Sequence, residues 1–365
     1  MLKDRTIAVV VPAYNEEKQI GRVIETMPDF VDRIIIINDK SMDKTAEVVK
    51  KYIADSKYNS TKVGLEPQKV ERNFYNEAEV VLHEKNKQEI KFFVDSEIVN
   101  EKPEINRIIL INQKKNSGNG AGISRGLKWV KDNEIDAVAI MDGDGQMDPN
   151  ELESIVYPIV QDNVDYVKGN RLLHGSSWLI IPKVRFIGNS ILSILNKLAS
   201  GYWKISDTQT GYVAMSKKAI NSIRLYDIYR SYGWPNDLLV KMNIAFCTIR
   251  EIEIKPVYNL GEKSKMKVLR VIPKISWLLL RSFLKRLYIK YLFRDFHPLF
   301  LLYHAAAILL VTSLPFLYKI LRLAIIGEGA NPVTVLAFFF LFVTGFQSLL
   351  FAMWMDIQDN DRLYK

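Results

Sequence analysis

One cysteine and four histidines in 365 residues leave little material for thiol or imidazole chemistry. Cys247 alone excludes an internal disulfide, and so few histidines argue against a Cys/His zinc site. A reducing, cytosolic setting fits. Charge balance is lacking too: the formal net charge of +9 points to an anionic partner, but much of the excess falls between Lys263 and Arg294. No signal peptide is visible, since the apolar run Ile7 to Val11 is too short and stops at Pro12. With 48% apolar residues the chain can bury a sizeable core, as one large domain or two.

The stretch that organises the rest is Ile140-Met-Asp-Gly-Asp-Gly-Gln146. Ala137 to Met141 reads as a short buried strand, and the glycines at 143 and 145 force a sharp turn after it. Two carboxylates then sit on a strand tip. Mg²⁺ binds through one or two carboxylates and leaves its other positions to water and substrate phosphates, so Asp142 and Asp144, with the amide of Gln146, can hold a metal that holds a diphosphate. A plain Asp/Gly turn is the competing reading of these residues taken alone.

Along the chain, apolar runs alternate with helical periodicity. Ile7 to Val11 is a strand, followed by Pro12-Ala-Tyr-Asn-Glu-Glu17 and a helix carrying Ile20, Val23, Ile24 and Met27. Arg33 to Ile37 is a second strand, with Asn38-Asp-Lys-Ser41 as its terminal turn and a helix from Asp43 and Thr45 to about Ile53. Arg107 to Ile111 is a third, leading through a Gly-rich loop at 116–126 into a helix with Leu127 and Trp129. Val164 to Lys168 is another strand, and a helix spans about Val184 to Ala199. Alternating strands and helices imply an α/β fold with a mostly parallel sheet, whose ligands bind beyond the carboxyl ends of the strands. Gly118, Gly120 and Gly122 allow backbone to approach phosphate at a helix start, although such glycines also serve helix–sheet packing.

The ordered set Val11-Pro-Ala-Tyr-Asn-Glu-Glu17, Asn38-Asp-Lys-Ser-Met-Asp-Lys-Thr45, the Gly-rich loop and Asp142-Gly-Asp-Gly-Gln146 resembles glycosyltransferase family 2. Lys168-Gly-Asn-Arg171 and Asp207-Thr-Gln-Thr-Gly-Tyr212 are similar to its branch of dolichyl-phosphate mannose synthases and polyprenyl-phosphate glucosyltransferases. The resemblance implies a GT-A fold and an inverting transfer of one sugar from a nucleotide-sugar (GDP-mannose or a UDP-hexose) to polyprenyl phosphate. It also implies Mg²⁺ or Mn²⁺ at Asp142, Asp144 and Gln146, and a donor pocket lined by Pro12, Tyr14, Glu16, Asp39, Gly118 and Asp142. Arg171, Arg185 and Asn189 would receive the acceptor phosphate, together with Lys263 and Lys265 of a basic loop, Gly261 to Met266. Asp207 and Asp237 join Asp144 and Arg171 as catalytic candidates, as sugar contacts or site supports first and as bases second. The chain departs from the family pattern at Asn38, where Asp is usual, at Lys40, where Gly is usual, and at Asn119, where Lys or Arg commonly stands. The loss of charge at 38 leaves the base, uracil or guanine, open.

Residues from about 56 to 106 interrupt the pattern. Val80 and Leu82, then Ile90, Phe92 and Val94, flank Glu84-Lys-Asn-Lys87 as in a surface β-hairpin. From Lys267 to Phe296 apolar residues interleave with Lys274, Arg281, Lys285, Arg286, Lys290 and Arg294 at helical spacing, as in a helix lying in an anionic membrane interface. A nucleic-acid patch is the competing reading and loses, because a membrane span follows. Pro298 to Tyr318 is charge-free and meets the roughly 20 residues needed to cross a bilayer. Gly329 to Met355 does so again, and the Lys and Arg before the first span place the catalytic side in the cytoplasm. The expected organisation is a catalytic domain at 1–262 with its insertion, amphipathic helices at 263–296, two spans within 297–355 and a cytoplasmic tail at 356–365. Self-association is left open. Two rival functions remain: a silent membrane-anchored nucleotide-sugar scaffold, and a polysaccharide-type transferase with a hydroxyl acceptor.

Overall fold

The structure, a computed structural model, describes residues 1–61, 63–65, 70–257 and 268–365; for 184–185 and 268–272 it describes the backbone alone. Eight strands form one sheet: β1 (Ile7–Ala13), β2 (Arg33–Asn38), β3 (Ser96–Ile98), β4 (Ile108–Gln113), β5 (Ala137–Ile140), β6 (Tyr166–Asn170), β7 (Val213–Ser216) and β8 (Ile249–Glu253), in the order β3-β4-β2-β1-β5-β7-β6-β8. β1 pairs in parallel with β2 and β5, and β2 with β4, while β7 runs antiparallel between β5 and β6. The central strands are mostly apolar because both faces are covered; Ile34 to Ile37 are fully buried. Each such side chain contributes about 1.5–3 kcal/mol by leaving water.

Helices α1 (Ile20–Glu25), α2 (Thr45–Ala54), α3 (Ser56–Asn59), α4 (Glu77–Gln88), α5 (Asn119–Asp132), α6 (Leu152–Asp162), α7 (Ser177–Ile180), α8 (Lys183–Ser200), α9 (Lys217–Ser222) and α10 (Trp234–Ile244) complete the domain. Two cores result. One unites Val23, Ile24, Val49, Ile155 and Ile159 with one face of the sheet, and the other unites Ile123, Leu127, Ile220, Leu238 and Met242 with the opposite face. The expected α/β architecture is therefore present.

The insertion corrects the sequence reading. Residues 77–88, expected in a hairpin, form α4, followed by a 3₁₀ turn at Glu89–Phe92; only Ser96–Ile98 is strand, and it pairs antiparallel with β4. The apolar alternation misled because it was sparse, whereas Glu77 and Glu79 in the first turn and Lys85 and Lys87 in the last complement the helix dipole. No residue of α4 is buried; Asn86 bonds Asp132 at 2.9 Å and ties it to the end of α5.

Two helices, α12 (Pro298–Ile325) and α13 (Pro332–Asp361), are long and apolar enough to cross a membrane. They pack together where Gly345 of α13 meets Leu309 and Leu310, the small residue permitting a close crossing. Before them α11 (Val268–Tyr288) runs into a π-helical turn, Ile289–Arg294. Lys274, Arg281 and Lys285 of α11 are exposed, but Arg286 and Lys290 are buried, so these two cations do not face a lipid surface as the periodicity suggested. Arg286 grips Asp356 of α13 through bonds of 2.7 and 2.8 Å and also donates to the carbonyls of Leu198 and Ala199 at the end of α8. Lys290 bonds Asn360 at 2.6 Å, and Asn360 bridges to Asn243 of α10 at 2.7 Å. Residues 356–365, read as a tail, are thus packed on the domain. Ile249 of β8 donates to the Leu363 carbonyl, and Lys365 donates back to Ile249.

Candidate active site

The carboxyl ends of β1, β2, β4, β5 and β6 and the start of β7 lie at one sheet edge. Val10 pairs with Ile140, and Val213 with both Ile140 and Lys168, so Pro12, Asp39, Asp142, Asp144, Arg171 and Asp207 emerge on the same side. Gly145, at φ +75°, turns the chain after Asp144, whose Oδ1 accepts the Gln146 N–H at 3.0 Å. Burial and the neighbouring Asp144 push the Asp142 carboxyl up to about 7, against the pull of Asn119 and Arg171, while Glu16 adds to the repulsion. Asn119 Nδ2 donates to Asp142 Oδ1 at 3.2 Å.

The first two motifs interlock. The N–H groups of Asn15, Glu16 and Glu17 donate to the side chains of Ser41, Thr45 and Asp43, while those of Met42 and Lys44 donate to Asn15 and Glu17. These exchanges leave Tyr14 and Glu16 half-buried at the rim. Pro12 sits inside, its carbonyl accepting from Gly143 at 3.2 Å. Asp39 receives the N–H groups of Ser117 and Gly118, each at 2.9 Å, bonds that oppose the upward push of burial on its carboxyl. It therefore holds the Gly-rich loop to β2.

That loop departs from the reading of a phosphate cradle. A methyl group at Gly118 would stand 2.6 Å from the Arg230 carbonyl oxygen, and one at Gly120 would stand 2.0 Å from that of Tyr229. These glycines admit neighbouring backbone, and the Gly118 N–H is already taken by Asp39. Asp237 supports the same segment, accepting the Tyr229 N–H at 2.9 Å and pairing with Lys241.

Arg171 is forked onto Asp207: Nε donates to Oδ2 at 2.8 Å and Nη2 to Oδ1 at 3.1 Å. Asp207 has no exposed surface. Burial works to raise its pKa, but Arg171 and Lys168 outweigh that and hold it below the usual carboxylate range. Lys168, fully buried, donates to the Thr210 carbonyl at 2.7 Å, and burial lowers its pKa to about 8. Asn189 is half-buried on α8, the helix that also carries Arg185. The Arg185 side chain, Lys263, Lys265 and the basic loop lie outside the described residues. Sequence reasoning noted Asn119 only as a departure from the family pattern and missed Lys168 as a buried charge and Glu251; for Lys168 the signal was a lysine inside the otherwise uncharged strand Tyr166–Asn170.

The profile of glycosyl transferase family 2 matches residues 8–69 and 95–224. The chain belongs to glycosyltransferase family 2. The stretch that the family profile skips, 70–94, contains α4. Of this family-2 chain's relatives, a UDP-N-acetylglucosamine–dolichyl-phosphate N-acetylglucosaminyltransferase of Methanococcus voltae is 26% identical over 71% of this chain and 88% of its own length. A dolichyl-phosphate β-glucosyltransferase of Trichomonas vaginalis is 24% identical over 72% of this chain and 68% of its own. Among solved structures, glucosyl-3-phosphoglycerate synthase of Mycobacterium tuberculosis, in complex with Mn²⁺, UDP and glucosyl-3-phosphoglycerate, aligns at a TM-score of 0.46 with 18% identity, covering 78% of this chain and 80% of that one.

Among the described residues no group of three or more His, Cys, Asp or Glu side chains is arranged to hold a metal ion. Two carboxylates suffice for a hard cation whose other ligands are water and phosphate. The surroundings fit: Asn119 Oδ1 and Gln146 Nε2, on residues beside the pair, are buried without a hydrogen-bond partner among the described residues. An acceptor and a donor are thus left for groups that a bound metal and diphosphate would bring.

Proposed function

We propose that this glycosyltransferase moves one sugar from a nucleotide diphosphate-sugar to a polyprenyl phosphate of the dolichyl type, with inversion, at the cytoplasmic face of a membrane. The observation that carries the reading is the meeting, at one sheet edge, of the Asp142/Asp144 pair and the Arg171 guanidinium braced by Asp207. The two relatives named for dolichyl phosphate support the acceptor class. The apolar pair α12/α13 supports delivery from a bilayer. Exposed Lys274, Arg281, Lys285 and Arg294 before the first span support the cytoplasmic side.

A phosphate monoester, with a second pKa of about 6, is already largely dianionic at neutral pH, so the acceptor needs no general base. The burden falls on holding two anions together. Arg171 draws the acceptor phosphate in, and its fork with Asp207 fixes the plane of the guanidinium. Tyr14, Glu16 and Asp39 line the nucleotide side. Asp142 and Asp144 would hold Mg²⁺ or Mn²⁺, which would supply neutralisation of the diphosphate leaving group. Asn119 and Gln146 offer the carbonyl and amide that orient what lies between them.

The full chain in detergent or nanodiscs, assayed with UDP- and GDP-sugars against dolichyl and undecaprenyl phosphate, should yield a glycosylated lipid phosphate. Glycosylation of hydroxyl acceptors with lipid phosphates ignored would overturn the acceptor. Donor binding without consumption would mark a silent scaffold.

A further inference from the structure

We propose that Glu251 of β8 is a positioning residue for the acceptor phosphate, acting through Asp207 and Arg171; this rests on the phosphate role given to Arg171 above. Its Oε1 accepts two consecutive main-chain N–H groups, Ser206 at 2.9 Å and Asp207 at 3.1 Å. The backbone of the Asp207 turn therefore hangs from the sheet through one carboxylate oxygen. Asp207 in turn collects five donors: the N–H, Nε and Nη2 of Arg171 and the N–H groups of Gln209 and Thr210, at 2.8 to 3.2 Å. Lys168 lies beneath, donating to the Thr210 carbonyl at 2.7 Å.

The four charges balance, two cationic and two anionic, and Arg171 keeps 23% of its side chain exposed, beside Asp142. A bidentate guanidinium–carboxylate pair is directional, so a shift of Asp207 turns the guanidinium with it. Buried Asp207 cannot be relocated by solvent. Its own peptide helps to set its place, and Glu251 holds two consecutive N–H groups of that peptide. β8 is itself bonded on its other side at Ile249, by Leu363 and Lys365, and pairs along its length with β6. Misplacement of a binding group by about 1 Å costs up to roughly a hundredfold.

The test compares Glu251→Ala, Glu251→Gln and Glu251→Asp with Arg171→Lys in full-length protein, by steady-state kinetics with polyprenyl phosphate and by calorimetric donor binding. Glu251→Ala should raise the acceptor KM roughly tenfold or more, with donor affinity within a factor of about two. Glu251→Gln, which keeps the accepting oxygen, should recover most of the loss. Glu251→Asp, the milder change should alanine prevent folding, should give an intermediate KM. Two results overturn the proposal while leaving the phosphate role of Arg171 standing. One is an unchanged acceptor KM in the alanine and aspartate variants while Arg171→Lys raises it; the other is equal loss of donor and acceptor affinity in Glu251→Ala. An unchanged acceptor KM in Arg171→Lys removes the phosphate role of Arg171 itself, and the positioning role with it.

Discussion

Asn119 Nδ2 bonds Asp142 Oδ1 at 3.2 Å, joining the first residue of α5 to the turn after β5. The other oxygen, Oδ2, faces Gly211, where a methyl group would stand 3.4 Å away. One oxygen of Asp142 is thereby oriented by a neutral donor, which adds no fixed positive charge beside the carboxylate pair.

Asp144→Ala should abolish sugar transfer while leaving membrane insertion intact. Loss of several kcal/mol of charge stabilisation corresponds to about a thousandfold or more in rate. Transfer by the purified variant, or by the wild type in chelator, at rates near normal would refute the cation assignment.

Asp356→Ala should destabilise the protein by about 3–5 kcal/mol, because it leaves Arg286 buried without its carboxylate. The double variant Arg286→Met/Asp356→Leu should recover much of that, since both charges leave together. Thermal unfolding in detergent reads the difference, and a double variant no better than the single one would show that the other bonds of Arg286, to the Leu198 and Ala199 carbonyls, carry the loss.

Lys40 adopts φ +55° at an exposed position, a left-handed conformation that a side chain disfavours by about 1–2 kcal/mol. Glycine relieves this but loses about 0.5–1 kcal/mol of backbone entropy. Lys40→Gly should therefore stabilise by about 0.5–1 kcal/mol, visible as a higher Tm; a lower Tm would show that the lysine makes a compensating contact.

The Lys168 ammonium titrates near 8 when folded, against about 10.4 in the unfolded chain. Between these values the unfolded state holds the extra proton, so this group makes stability rise as pH climbs from about 8 toward 10.4. Below that window the cost of burying the charge is present in full. The stability of the wild type relative to Lys168→Met should therefore grow across it, and a difference independent of pH would contradict the burial of a charged lysine.

The central sheet was legible because runs such as Ile34 to Ile37 have only one comfortable place, between two layers of helices. The order of the motifs was legible because strand tips must carry them. The insertion was not: five scattered apolar residues imitate a strand pair, and only the Glu-first, Lys-last charge pattern spoke for a helix. Nor could helical spacing show that Arg286 and Lys290 turn inward, since their partners, Asp356 and Asn360, lie 70 residues away. Asp207 and Asp237 were legible as sugar contacts or site supports, but the groups they hold, Arg171 for one and the Tyr229 N–H for the other, were not, because those partners are set by the fold. Glu251 meets Ser206 and Asp207 across more than 40 residues, so nothing local to β8 announces it.

The docking of residues 356–365 against β8, α10 and α11 carries a consequence for biosynthesis. These residues leave the ribosome only after both apolar helices, so the edge of the catalytic sheet waits for its last partner until they are made. Closure of that edge is therefore the last step in chain order, and a chain cut short after α12 would leave Ile249 without its partners at 363 and 365.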